Sequence, residues 1–341
     1  MWSPLLFFTG SSMINHSTFM LKKILSFSRA FYLSTRHNQL LFTDKERQET
    51  QQRPIEDIGC IVIDHPQITI TSGLLQMLAA HNVAVLFCDE RHMPASMLYH
   101  FDTHYVQTER LRHQLAASEP LCKQLWQQTV KSKIHNQAAV LELTTGDSHA
   151  LAKLRKLATQ VRSGDPENCE AQAAQRYWPA LMGEGFTRNP DGLPPNPSLN
   201  YGYALIRAAA ARALTAAGLL PALGIYHRNR YNAFCLADDL MEPFRPWVDR
   251  TVWQMREQSA DYHILNPSNK QILLGILYQD ATFDKETSPL MVAISRCAQN
   301  LARAFEQGGK VRLNYPTLPG VTAKRSRMAD TDAADDIENV A

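Results

Sequence analysis

Apolar positions in the first quarter of the chain come in short runs cut by polar breaks. Residues 22–27, 30–34 and 39–42 read as short strands. Residues 58–63 (Ile-Gly-Cys-Ile-Val-Ile) are β-branched and nearly continuous, the pattern of a strand buried on both faces. A helix is predicted over 74–81, capped by Thr71 or Ser72, with Leu74, Leu75 and Leu78 on one face. Asn82 ends it, residues 83–87 form another strand, and Pro94 marks a linker.

Beyond about Tyr99 the spacing turns helical. Helices are predicted over 107–117, 120–143, 148–162, 168–181 and 201–217, then over 234–248 and onward to 307. Ser163-Gly164-Asp165-Pro166 breaks the chain, and Pro166 suits a helix start. Gly218 suits a C-terminal cap, while 183–198 and 224–232 read as loops. The expected class is α+β: an N-terminal β-rich domain with a short helix, then a C-terminal all-helical domain. The expected division is a poorly structured extension (1–19), a β domain (20–93), a linker (94–100), a helical domain (101–320) and a disordered acidic tail (321–341). Residues 2–8 are apolar but lack the preceding basic region and the cleavage site of a secretory signal, and a second Met stands at position 20.

Composition narrows the classes. Of 341 residues, 45% are hydrophobic and 20% charged, which suits a buried core and excludes disorder over most of the chain. No apolar run is long enough to cross a membrane. The six cysteines form no CxxC pair, so a zinc ribbon or a disulfide scaffold is excluded and a reduced, cytoplasmic chain is expected. The net charge of +2 hides an asymmetry. Five acids and no Lys or Arg fall in the last 13 residues, leaving 35 basic residues against 28 acids elsewhere. Such a body can bind a polyanion; a solvated helical surface is the bland alternative.

The densest chemistry lies between His227 and Arg245. On a helix, Asp238, Asp239 and Glu242 share one face, and like charges so spaced repel. A divalent cation would offset that cost; so would Arg228, Arg230 or Arg245 on a solvated acidic patch. Carboxylate ligands favour Mg²⁺ or Mn²⁺, and an added imidazole shifts the preference toward Mn²⁺. Pro243 has no N–H to offer the carbonyl of Asp239, and a bend there re-aims Glu242. Glu170 lies one turn into its predicted helix, where an acid also complements the helix dipole. His100 and His104 have metal-binding spacing but no third ligand nearby, and no GxSxG or phosphate loop occurs.

Residues 68–75 with 82–89, residues 125–137, and the Glu170 helix with the 227–245 block resemble the CRISPR-associated protein one family, in the form that accompanies type II systems. The likeness runs from about Met20 to Gly320. It implies a β domain joined to a helical catalytic domain that integrates and cuts DNA. It also implies a metal site of Glu170, His227 and Glu242 binding Mg²⁺ or Mn²⁺, with Asp239 as the further family carboxylate. Implied partners are double-stranded prespacer DNA and the CRISPR repeat, a second copy of the chain, and the small CRISPR-associated protein two. Candidate DNA contacts are Lys131, Lys133, Arg176, Arg207, Arg212, Arg228, Arg230 and Arg245. Arg245 has a second candidate role, orienting a carboxylate of the site. Alternative readings are a non-catalytic DNA-binding scaffold, and a DNA-repair or mobile-element nuclease outside CRISPR.

Overall fold

The computed structural model describes residues 22–98, 104–284, 286–308 and 312–320. The expected extension (1–19) and acidic tail (321–341), and His100, lie outside them.

The N-terminal part is two four-stranded sheets and a helix. Strands β1 (Lys23–Phe27), β2 (Phe31–Arg36), β3 (Gln39–Asp44), β4 (Thr50–Pro54), β5 (Ile58–Ile63) and β6 (Thr69–Ile70) precede helix α1 (Ser72–Ala80), and β7 (Ala84–Cys88) and β8 (Pro94–Met97) follow it. One sheet has the order β1-β5-β7-β8, with β1, β5 and β7 parallel and β8 antiparallel at the edge. The other has the order β4-β3-β2-β6. Thr71 caps α1 by accepting from the Leu74 N–H at 3.3 Å.

Every residue of β5 is buried, and the reason is visible in what its two faces touch. Ile58, Ile61 and Ile63 pack with Phe27, Leu33, Leu40 and Leu74 between the sheets and α1. Cys60 and Val62 instead join the large core of the helical part. The near-continuous apolar run is thus the signature of a strand shared by two cores.

Pro94 does not open a linker. Residues 94–97 pair with β7, and Pro94 sits in the edge strand, where a missing N–H breaks no central ladder. Residues 99–103, the remainder of the expected linker and the first three positions of the expected helical domain, lie outside the described residues.

The helical part contains α2 (Gln107–Leu115), α3 (Glu119–Leu143), α4 (Ser148–Gln160), α5 (Cys169–Met182), α6 (Asn196–Ala216), α7 (Cys235–Met241), α8 (Arg245–Gln258), α9 (Pro267–Leu274) and α10 (Leu290–Glu306). It is not all-helical: β9 (Asp280–Phe283) and β10 (Glu286–Pro289) form an antiparallel hairpin within it. α6 starts five residues earlier than its alanine-rich stretch suggests, with a proline in its first turn. It packs tightly on α8 at Gly202, where a Cβ would lie 2.4 Å from a Val248 methyl. α3 is central, burying Leu125, Trp126, Val130 and Ile134. Among the described residues no helix is long and apolar enough to cross a membrane.

Candidate active site

Four separate segments bring the site together: the middle of α3, the start of α5, the loop before α7, and the turn between α7 and α8. Glu170 is placed by a local cap. Pro166 falls in the preceding turn rather than starting α5. Asp165 accepts from the N–H groups of Cys169 and Glu170 at 2.9 and 3.0 Å, and Asn168 accepts from Ala171 at 3.3 Å. These bonds satisfy the exposed end of α5 and fix its first turn, where Glu170 is half-buried.

His227 is held by Asp239. The carboxylate, fully buried, accepts from the ring Nδ1 at 2.5 Å, from the His227 N–H at 3.3 Å and from the Tyr226 N–H at 3.0 Å. Donation from Nδ1 leaves Nε2 as the nitrogen with a lone pair to offer. The bond to Asp239 raises the His227 pKa above its ordinary value; burial opposes it, and the nearby charges of Glu242 and Glu170 add to it. Behind the imidazole, Tyr226 stacks on Trp126 with ring centres 4.2 Å apart, and His227 meets Trp126 edge-on at 5.6 Å. The loop closes because residue 224 is glycine. A Cβ there would lie 2.3 Å from the His227 carbonyl oxygen and 2.8 Å from Asp239 Oδ2.

Glu242 sits on a short 3₁₀ turn (Glu242–Phe244), as expected where Pro243 interrupts a helix. Asn136 of α3 donates to the Pro243 carbonyl at 2.9 Å and ties that turn to the centre of the molecule. Glu242 is buried; its Oε1 lies 2.9 Å from Arg245 Nε and its Oε2 lies 2.6 Å from Lys133 Nζ. Burial works against its charge, but Arg245 and Lys133 outweigh it and hold the carboxyl below the usual carboxylate range.

The three carboxylates of the 238–242 segment do not share a face. Asp238 pairs with Arg207 at 2.6 Å and accepts from Asn232 at 2.7 Å, whereas Asp239 turns to His227 and Glu242 to Lys133 and Arg245. The repulsion between them is relieved by a separate set of partners for each, not by one common cation and not by solvent.

Glu170 and Glu242 do come together. Both face the ammonium of Lys133, which stands 2.5 Å from Glu170 Oε1 and 2.6 Å from Glu242 Oε2. Among the described residues, no three His, Cys, Asp or Glu side chains stand as a ready metal cage. The donor set nonetheless fits a divalent cation. Two carboxylates converge on one cationic point, and the His227 ring is fixed by its far nitrogen.

The remaining basic candidates divide. Arg245 lies against Glu242 and over the Tyr203 ring at 4.6 Å. Arg207 is exposed but paired with Asp238. Arg212 reaches across to the N-terminal part and donates to the Asn82 carbonyl at 2.5 Å. Arg176 donates to the Gln172 carbonyl of its own helix, and Lys131 is half-buried on α3. Arg228 and Arg230 are exposed, the latter over Tyr231 at 4.6 Å. His104 bonds Arg110 at 3.0 Å and stacks on Tyr105, away from the site. Cys169 and Cys235 are buried, and the Cys235 thiol donates to the carbonyls of Asn229 and Asn232.

Sequence reasoning missed Lys133 as part of the site, and it missed Asp249. The latter is buried behind Arg245, accepts from Tyr177 at 2.9 Å and also from Tyr203, and burial pushes its pKa up to about 6. The signal for Lys133 was its place beside Asn136 and Gln137, a polar cluster on the most buried stretch of α3. Asp249 sits inside a helix among Trp247, Val248 and Val252, where an unpaired acid would not be tolerated.

A family model described as CRISPR associated protein Cas1 matches residues 25–263. The chain is 41% identical over 286 residues to a CRISPR-associated endonuclease Cas1 of Neisseria meningitidis serogroup C (strain 8013), covering 84% of this chain and 93% of that protein. It is 26% identical to a second such endonuclease, from Francisella tularensis subsp. novicida, over 75% of this chain and 85% of that one. In fold it resembles a casposase bound to integration product (TM-score 0.68, 18% identity, 91% and 98% of the two chains). It resembles a Cas1 protein from Thermotoga maritima equally well (TM-score 0.68, 15% identity, 85% and 99%). The family match over residues 25–263 and the 41% identity over 84% of the chain leave one assignment: the chain belongs to the Cas1 family of CRISPR-associated proteins.

Proposed function

We propose that this protein is a cytoplasmic, metal-dependent DNA endonuclease and integrase that inserts DNA fragments into a CRISPR array. The observation that carries this reading is the convergence of Glu170 and Glu242 on one cationic point beside an imidazole locked by a buried carboxylate. The likeness to curated endonucleases supports the chemistry.

Glu170, His227 and Glu242 would hold one Mg²⁺ or Mn²⁺. When bound, that ion polarises the scissile phosphate and lowers the cost of the charge that develops on it. The protein's own residues do the rest. Asp239 keeps the His227 ring in the tautomer that presents Nε2. Asn136 and Pro243 fix the backbone that carries Glu242. Arg245 holds Glu242 in its charged form, and its guanidinium is braced on Tyr203. In integration a 3′-hydroxyl of the incoming DNA attacks the scissile phosphorus, and the P–O bond to the target strand's 3′-oxygen breaks to leave a 3′-hydroxyl there; in cleavage water attacks in place of the incoming hydroxyl.

DNA is gripped by phosphate contacts from basic residues, the exposed Arg228 and Arg230 foremost, and the half-buried Lys131 and Arg176 as further contacts. The family likeness, and a fold shared with a Cas6-RT-Cas1–Cas2 complex, support two partners: a second copy of this chain and the small Cas2 subunit. The test is strand joining with a labelled 3′-OH duplex, a supercoiled repeat-bearing plasmid and the small partner. Glu170→Gln, His227→Ala and Glu242→Gln each lower joining by about 10²-fold or more, and EDTA abolishes it. Near-normal joining by any of the three variants removes that residue from the site.

A further inference from the structure

Lys133 occupies an unusual place. Its side chain is 13% exposed, and its ammonium stands between the two carboxylates that the proposed metal would join. Nζ lies 2.5 Å from Glu170 Oε1 and 2.6 Å from Glu242 Oε2, so one ammonium is shared between two carboxylates. Arg245 Nε lies 2.9 Å from the other Glu242 oxygen, Oε1.

Here a single charge is set between two opposite ones, on a flexible four-carbon stem. The stem has somewhere to go. Lys133 also lines an open cleft with Gln137, Trp178, Arg188, Tyr203 and Arg245.

We propose that Lys133 is a tethered, displaceable counter-cation of the active site. Without a divalent ion its ammonium fills the position between Glu170 and Glu242, keeps the two carboxylates together and prevents their repulsion from opening the site. When the ion enters, the ammonium gives way toward the cleft. The lysine thereby sets a threshold: the ion must outcompete a charge that the chain itself supplies. This rests on the metal reading above, and it replaces the expectation that Lys133 is simply a DNA contact.

The test is Mn²⁺ binding to the full-length protein, followed by electron paramagnetic resonance of the free ion, with thermal unfolding in EDTA alongside. Lys133→Met removes the competing charge and keeps the stem. It should bind Mn²⁺ about tenfold more tightly than the wild type, equivalent to about 1.4 kcal/mol. It should also melt at a lower temperature in EDTA, and Mn²⁺ should restore more of its melting temperature than it adds to the wild type. Lys133→Arg, whose guanidinium can bridge two carboxylates with directed bonds, should bind Mn²⁺ more weakly than the wild type. Equal or weaker binding by Lys133→Met, or unchanged binding by Lys133→Arg, overturns the proposal while the wild type still binds. If the wild type binds no more Mn²⁺ than Glu170→Gln does, the metal reading itself fails.

Discussion

At the scale of single residues, the acids at 238, 239 and 249 separate by what they touch. Asp239 accepts three bonds from the Tyr226–His227 segment and is shut off from solvent. Asp239→Asn keeps the shape but replaces one acceptor oxygen with a donor, so the ring loses its fixed tautomer. Loss of such a supporting partner usually lowers metal affinity or activity by about 10–100-fold. Asp238 partners the exposed Arg207 and Asn232 rather than His227, so Asp238→Asn should change strand joining by no more than about threefold. Rates of joining for the two variants under one set of conditions decide this; equal rates would remove the distinction. Asp249 makes a different claim, about pH. Its carboxyl is raised to about 6 by burial, against an unfolded value of 3.8. A raised folded pKa means that stability is fully present below the unfolded value and is lost as pH rises through the folded one. Two units correspond to about 3 kcal/mol. Asp249→Asn cannot titrate, so the wild type should lose about that much relative to the variant between pH 3.5 and pH 7. Urea unfolding of both proteins across that range measures it, and a difference that does not change with pH rejects it.

At the scale of elements, the loop that carries His227 depends on one close approach. Gly224→Ala would set a methyl against the His227 carbonyl and the Asp239 carboxylate, both part of the site and neither a flexible tip. The loop must shift, and the imidazole with it. Strand joining should fall by about 10-fold or more, while the melting temperature moves only a few degrees, because the loop is largely outside the core. Full activity in this variant would show that the loop relaxes without moving the ring. Much of this organisation was legible from spacing. The buried strand at 58–63, the cap at Thr71, the long α3 and the break at Pro243 all follow from local patterns that tertiary packing reinforces. What was not legible has a common cause. Strand β4 (Thr-Gln-Gln-Arg-Pro) is exposed and polar over its first residues, so it carries no apolar alternation to detect. The edge strand at Pro94 and the hairpin at 280–289 are equally short and weakly patterned. At the site, Glu170, His227 and Glu242 could be picked out by residue type and family likeness. Lys133 could not be linked to them, because its two contacts come from positions far along the chain that only the packed helices bring together.

At the scale of the whole molecule, the two parts share one packed core. The face of β5 and β7 that carries Cys60, Val62, Ala84 and Leu86 belongs to the same core as α3, α6 and α10. Polar ties cross the boundary as well: Arg212 to Asn82, Ile24 to Tyr278, and Lys270 of α9 to Asp64, just after β5, at 2.6 Å. Asp64 and Lys270 are both buried, and Asp64 also meets His92 at 2.7 Å. The two ends of this ion pair should therefore respond unequally to substitution. Asp64→Ala strands a buried ammonium and should cost about 3–5 kcal/mol. Lys270→Met leaves Asp64 with His92 and should cost less, and the double variant should recover part of the loss from Asp64→Ala. The stronger expectation concerns where the loss is felt. Hydrogen exchange in rising urea should give the amides of β5 and of α8 the same opening free energy, and Asp64→Ala should lower both together. Loss of protection in β5 alone, with α8 unmoved, would mean that the N-terminal sheets open independently, and that the strand buried on both faces is a contact between two domains and not a shared core.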